Sequence, residues 1–379
     1  MFESFLRFVR ELYQTNSFIP LHEPTFKGNE KKYLDEVIDS TYVSSVGESV
    51  IELEQKISEY VGIEYAVAVV NCTSALHLSL VLSNVEQGTE VLTQSLNFIA
   101  GCNAISYCKA HPVFLDIDKK NLSLSPVALE SFLHENSEIR DDGFCWNKTT
   151  QNRISACLPM NTYGFPCQSE ELNEICKKFN ISLIEDSAES LGSFSNGKHT
   201  GFNSTLSTLS FNGNKIITTG GGGMILTDSK DIYDKAKHLS TTAKINHAWH
   251  FIHDEIGYNY RMPNLNAALG LAQFERISEM LDSKREIAKA YHAWGAENDV
   301  LFVKEPEGAK ANYWLNCMIM EDLDQRNKFL TFTKNNDVMT RPSWKPMHQL
   351  DLYKDCHKSN LKNTEWIHER LINLPSTPI

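Results

Sequence analysis

Residues 65–80 read YAVAVVNCTSALHLSL. A run of small and β-branched apolar residues meets a polar step at Asn71–Ser74, and a second apolar pattern follows. The first part suits a buried strand and the second a helix, with small polar residues at the break where a helix start prefers them. The same passage recurs along the chain. Strands are expected at Tyr65–Val70, Glu90–Gln94, His111–Leu115, Ile154–Leu158, Ile181–Glu185, Thr205–Phe211 and Gly223–Thr227. Helices are expected between them at Ser74–Leu82, Phe98–Tyr107, Pro126–Glu135 and Ser169–Phe179. Such alternation predicts an α/β domain on a mostly parallel sheet. Ligands of such sheets sit beyond the carboxyl ends of the strands.

The residues at each of those ends have potential for chemistry. After the first strand, Thr73 and Ser74 open a helix whose free N–H groups suit a phosphate, or simply cap it. Phe98 opens another helix, as core or as cover for a planar ligand. "ISLIEDSAES" (181–190) delivers Glu185, Asp186 and Glu189 to a strand end, where a buried carboxylate needs a cationic partner. "SFNGNKIITTGGGGMILT" (210–227) delivers Ser210 and Lys215 ahead of the glycine run Gly220–Gly223. The glycines follow the lysine, so this is not a Walker A loop, and they lead into a strand, which excludes a dinucleotide fingerprint. Phosphate donors, an aromatic cover, a carboxylate and a lysine at neighbouring strand ends form the set that pyridoxal 5′-phosphate requires, with Lys215 as covalent anchor and Asp186 beside the ring nitrogen.

With these residues assembled, the chain resembles the sugar-nucleotide aminotransferases of the DegT/DnrJ type, within the fold-type I, aspartate aminotransferase-like superfamily. The resemblance runs from "PTFKGNEKKYLDEVIDSTYVSSVG" through "PMNTYGFP", "IEDSAESLG" and "SFNGNKIITTGGGGMILT" to "GYNYRMPNLNAALGLAQFERI". It implies a PLP-binding α/β domain followed by a smaller α+β domain. Lys215 would hold the cofactor and shuttle protons, Phe98 would stack on its ring, and Thr73, Ser74 and Ser210 would hold its phosphate. Asn259 would reach the cofactor phosphate of a neighbouring subunit and Arg261 the substrate diphosphate, which implies a homodimer with shared active sites. Glu189 stands where many relatives carry Gln or His, and is expected near the cofactor or substrate. Asn161 replaces a familiar histidine, and no catalytic role passes to it. "RPSWKPMHQL" makes His348 a substrate contact or a core histidine. "SFNGNKIITT" resembles the subgroup making 4-amino-4,6-dideoxy-N-acetylhexosamine nucleotides for bacillosamine and legionaminic acid. The expected reaction moves the amino group of L-glutamate to the C4 ketone of a nucleotide-linked 4-keto-6-deoxy, 2-acetamido hexose. The alternatives are a perosamine-synthase-like enzyme using a GDP-linked sugar, and a non-catalytic relative that binds PLP.

The rest of the chain bounds this reading. A length of 379 residues accommodates a large domain and a smaller one, placed at 17–250 and 251–379 after an amphipathic helix at 1–16. That helix is expected to dock on the body or on a partner, with membrane-surface binding the weaker option. A net charge of −12 opposes a nucleic-acid footprint. No apolar run is long enough to span a bilayer. Nine cysteines without a C-x-x-C pair favour free thiols and a cytoplasmic setting. His247, His250 and His253 have helical spacing, but no metal is expected there because no acidic or cysteine ligand accompanies them at a recognised spacing. The polar stretch 134–153 is expected to be a long loop or a small excursion. "LNAALGLAQFERISEMLDSKREIAKAYHAWG" is expected to be one long helix.

Overall fold

The computed structural model describes residues 1–379. Helices α1 (Phe2–Tyr13), α2 (Glu30–Ser40) and α3 (Glu48–Val61) precede the first strand. Then come β1 (Tyr65–Val69), α4 (Cys72–Leu82), β2 (Glu90–Gln94), α5 (Ile99–Tyr107), β3 (His111–Leu115) and α6 (Pro126–Asn136). A hairpin, β4 (Ser137–Ile139) and β5 (Cys145–Asn147), leads to β6 (Arg153–Leu158), α7 (Ser169–Lys178) and β7 (Ser182–Asp186). After the short pair β8 (Phe194–Ser195) and β9 (Lys198–His199) come β10 (Leu206–Ser210), β11 (Gly223–Thr227) and α8 (Lys230–Ser240).

The main sheet has the order β1-β11-β10-β7-β6-β2-β3. Strands β10, β7, β6, β2 and β3 are parallel, while β11 runs antiparallel to both its neighbours. The expected α/β architecture is therefore present, with one reversed strand. The twelve residues between β10 and β11 contain no helix to carry a crossover, and the chain turns back antiparallel. The strand interiors are buried almost without interruption, as helices covering both faces require. The stretch 134–153 is not a loop: β5 pairs antiparallel with β6 and extends the sheet, with Asn147 hydrogen-bonded to the buried Glu90.

Beyond residue 240 come the short pair β12 (Lys244–Ile245) and β13 (Ile252–His253), then α9 (Asn264–Phe274) and α10 (Ile277–Glu297). The expected single long helix thus breaks at Glu275–Arg276. Neither glycine nor proline marks the break, so the apolar pattern runs through it. Helix α9 is apolar on nearly every side and lies against α2 and α3, whereas α10 has an exposed polar face. His247, His250 and His253 are not on a helix: His247 and His250 flank a bend with their rings 4.7 Å apart, and His253 lies in β13. The chain ends with β14 (Leu301–Phe302), β15 (Ala309–Lys310), β16 (Asn316–Ile319), α11 (Leu323–Asn335), β17 (Arg341–Pro342), α12 (Lys362–Arg370) and β18 (Leu371–Leu374). A second, antiparallel sheet has the order β14-β16-β18-β17. Helix α1 packs on this body, burying Phe5 and Val9 among Tyr291, Trp294 and Phe329.

Candidate active site

A cavity of about 700 Å³ lies between the carboxyl ends of the main sheet and the second sheet. Lys215, Asp186, Glu189, Phe98, Thr73 and Ser210 all line it. Strand β7 ends at Asp186, whose backbone N–H donates to the Pro159 carbonyl at 2.8 Å and whose carbonyl accepts from Asn161 at 3.0 Å. Crossing the chain ends in this way fixes where the carboxylate points. Asn161 holds this crossing together: its amide donates to Glu185 at 2.7 Å and to Ser187 at 3.0 Å, and its oxygen accepts from the Cys167 N–H.

Lys215 Nζ lies 3.2 Å from Glu189 Oε1 and 3.9 Å from the centre of the Trp314 ring. Glu189 also accepts from the Tyr163 N–H at 2.8 Å. Burial pushes Asp186 up to about 6 and Glu189 up to about 7, with Lys215 opposing both shifts. The ammonium is therefore flanked by a carboxylate able to hold a proton near neutrality. The glycine run has a local cause: a Cβ on Gly223 would stand 2.5 Å from the Asn71 carbonyl carbon and 2.6 Å from the Cys72 nitrogen. Only glycine lets β11 start against the first turn of α4. That turn is capped by Asn71, whose side chain accepts from the Ser74 N–H at 2.8 Å. Thr73 and Ser74 lie within the helix and do not cap it.

Ser74 itself, Asn259, Arg261 and His348 are not in this cavity wall. Asn259 and Arg261 line a separate polar hollow with Ser45, Thr241, Thr242, Lys244 and Asn246. His348 Nδ1 is 2.7 Å from Ser95 Oγ, and its Nε2 faces Glu365 at 3.6 Å. The structure adds wall residues to which sequence reading gave no role: His22, Asn71, Tyr163, Trp314, Arg341 and Trp344. The Trp344 ring stands 4.6 Å from Tyr163 and 5.9 Å from Phe98, closing the side opposite α4. The Arg341 guanidinium has no acidic partner in the chain. His238, Asp254 and Glu255 group their ligand atoms on the surface, but Lys235 already pairs with Glu255.

The family model of the DegT/DnrJ/EryC1/StrS aminotransferases matches residues 24–379. The chain belongs to that family. It is a pyridoxal-phosphate-dependent sugar aminotransferase. GDP-perosamine synthase of Escherichia coli O157:H7 is 36% identical over 363 residues, covering 95% of this chain and 94% of the relative. GDP-perosamine synthase of Vibrio cholerae is likewise 36% identical over 363 residues, with the same coverage. Among solved structures, the aminotransferase TlmJ of Streptoalloteichus hindustanus superposes with a TM-score of 0.85 at 25% identity, covering 95% of this chain and 94% of that one. Helicobacter pylori PseC shares the fold with a TM-score of 0.85 at 23% identity, covering 95% and 94%. These comparisons carry the family without singling out its bacillosamine and legionaminic acid subgroup.

The cavity has the donor set for the family's cofactor. It presents an amine, a buried carboxylate, hydroxyls at Thr73 and Ser210, first-turn amides of α4 without intrahelical acceptors, and a half-exposed aromatic ring at Phe98. The carboxylates give this site a pH signature. In the unfolded chain they titrate near 3.8 and 4.5, and in the folded chain near 6 and 7. The native state therefore binds more protons between these values, and stability falls as pH rises through that window. Glu189→Gln removes one of the two groups and leaves an acceptor for Tyr163. Between about pH 5 and pH 8 the cofactor-free variant is expected to lose less stability than its parent, by about 1–3 kcal/mol. Denaturant titrations at both pH values check this, and equal losses would contradict it.

Proposed function

We propose that the enzyme transfers the amino group of L-glutamate to the C4 ketone of a nucleotide-linked 4-keto-6-deoxyhexose, and that the carrier is GDP. The observation that carries the reading is the Lys215 amine held between Glu189 and Trp314 in a cavity that also contains Asp186. The GDP-linked sugar is supported by the relatives at 36% identity, whose named product is GDP-perosamine. This replaces the 2-acetamido sugar as the preferred substrate and adopts the perosamine-synthase-like alternative.

Bound pyridoxal phosphate would supply a carbonyl that exchanges amines and a protonated ring that accepts electron density. Thr73, Ser210 and the first turn of α4 would hold its phosphate, Asp186 its ring nitrogen, Phe98 its face and Lys215 its aldehyde carbon. Lys215, once free, removes the proton from the α-carbon of glutamate and later returns one to C4 of the sugar. Glu189, poised near neutrality, relays the proton that Lys215 must lose to act as a base. Arg341, lacking an acidic partner, receives the carboxylate of the donor. Trp314, Trp344 and Tyr163 keep water from the reacting carbon.

Asn259 and Arg261, outside this cavity, would serve the site of a second copy. Sedimentation that showed only monomer would remove that part of the proposal. The nine cysteines are all free thiols, which supports a reducing, cytoplasmic setting.

The test is a panel of GDP-, UDP- and dTDP-linked 4-keto-6-deoxyhexoses with L-glutamate, followed by mass spectrometry of the sugar nucleotide. Amination of the GDP-linked sugar at the highest kcat/KM is expected. Preference for a UDP-linked 2-acetamido sugar would restore the first reading.

A further inference from the structure

The family match begins at residue 24. Ahead of it, the N-terminal segment brings three residues into the cavity wall. Helix α1 is anchored by Phe5 and Val9, and Arg10 reaches the carbonyls of Ser17 and Asn336 at 3.2 and 2.7 Å. The strap that follows is held in register. Ile19 donates to Asp337 and accepts from Met339, both at 2.9 Å, Leu21 accepts from Ser376 at 2.7 Å, and Glu23 donates to Thr377 Oγ1 at 3.0 Å. This pinning sets Pro20, Leu21 and His22 against the cavity.

Both ring nitrogens of His22 are buried, and neither has a hydrogen-bond partner. The Asn214 carbonyl, which accepts from Trp314 Nε1 at 2.6 Å, lies near the ring but outside hydrogen-bond geometry to either nitrogen. Burial, with Lys284 and Lys215 nearby, keeps the ring neutral. A neutral imidazole offers one donor and one acceptor. Buried polar atoms without partners are rare, so two of them on one ring at a cavity wall point to a partner that arrives with a ligand. A carboxylate or phosphate only accepts, and Arg341 and the first turn of α4 already serve such groups. A hydroxyl both donates and accepts, as the ring does, and a hexose carries several.

We infer that His22 hydrogen-bonds a ring hydroxyl of the hexose and selects which face of the sugar approaches Lys215. This makes it a specificity-determining residue. The inference rests on the sugar-nucleotide reading above.

The test uses the holoenzyme and three variants: His22→Phe and His22→Ala, which remove both polar atoms, and His22→Asn, which keeps a donor and an acceptor. The sugar nucleotide is varied at saturating glutamate, and the glutamate half-reaction is followed separately by visible absorbance without sugar. His22→Phe is expected to raise KM for the sugar nucleotide about tenfold, with the glutamate half-reaction within about twofold of the parent. His22→Asn is expected to recover part of that loss. If the Phe variant does not fold, the Ala variant is read by the same split. An unchanged KM, or equal damage to both half-reactions, overturns the assignment. If the parent exchanges amine with glutamate but aminates no 4-keto sugar nucleotide, the substrate reading fails and takes the His22 assignment with it. A parent that turns over normally beside an unimpaired His22→Phe places the failure at His22 alone.

Discussion

Replacing Lys215 by alanine is expected to end turnover, lowering kcat by about 10⁴-fold or more, while the protein still folds. No other lysine lines the cavity, so no neighbouring amine can take over. The fold tolerates the change because of Glu189. Without Lys215, that carboxylate would be buried with only the Tyr163 N–H facing it. Burial already raises it to about 7 against the pull of Lys215; without that pull it rises further and takes up a proton instead of standing as an unpaired charge.

Lys215→Arg separates chemistry from charge. A guanidinium keeps the positive charge beside Glu189 but stays protonated, so it can neither bond to the cofactor nor move a proton. It is expected to be as inactive as the alanine variant. Borohydride reduction followed by peptide mass spectrometry should attach the cofactor to residue 215 in the parent and in neither variant. Turnover of either variant above about 1% of the parent would mean that the amine responsible lies elsewhere.

Lys215 was readable because the surrounding sequence is locally unusual, and other parts of the site were not. Strand ends could be located because buried parallel strands read as short apolar runs, so Asp186, Ser210 and Lys215 fell on one edge of one sheet. The glycine run announced a close approach, and the structure identifies it as Gly223 against the start of α4. What local pattern could not show is what closes the cavity from above. Trp314 reaches Lys215 from about a hundred residues away, through a hydrogen bond to the Asn214 carbonyl. Within "NYWLNCMIM" it reads as one more strand residue. His22 stands between Leu21 and Glu23 in the strap, and nothing beside it in sequence marks the burial of its ring. The helix cap is not legible in sequence for a related reason. Asn, Thr and Ser are all good caps, and only the backbone turn at Asn71 decides among them. His348 belonged to a recognisable segment, yet its ring is turned to Ser95 and Glu365, which no spacing rule encodes.

Asp186→Asn is expected to lower kcat by about 10³-fold and, at pH 8, to leave the cofactor-free protein at least as stable as its parent. The two halves of this expectation have one cause. Asp186 is fully buried and its Oδ1 accepts from the Ala188 N–H at 3.1 Å. No cation pairs with it directly, and burial holds it up to about 6. In the empty protein above that pH, the ionised carboxylate is a charge kept from water, and folding is penalised for it. Asparagine has the same shape and still accepts from Ala188, so it removes the penalty without opening a void. The carboxylate is thus unfavourable to the empty fold, and its worth appears only when a cation arrives in the cavity. Under the proposed function that cation would be the protonated ring nitrogen of the cofactor, which an amide would not hold protonated. Thermal melts of cofactor-free protein at pH 5 and pH 8, beside kcat for both forms, test the two halves together. A variant that is destabilised at pH 8 would show that Asp186 has a structural partner, and near-parental kcat would show that its charge does not act on the reaction.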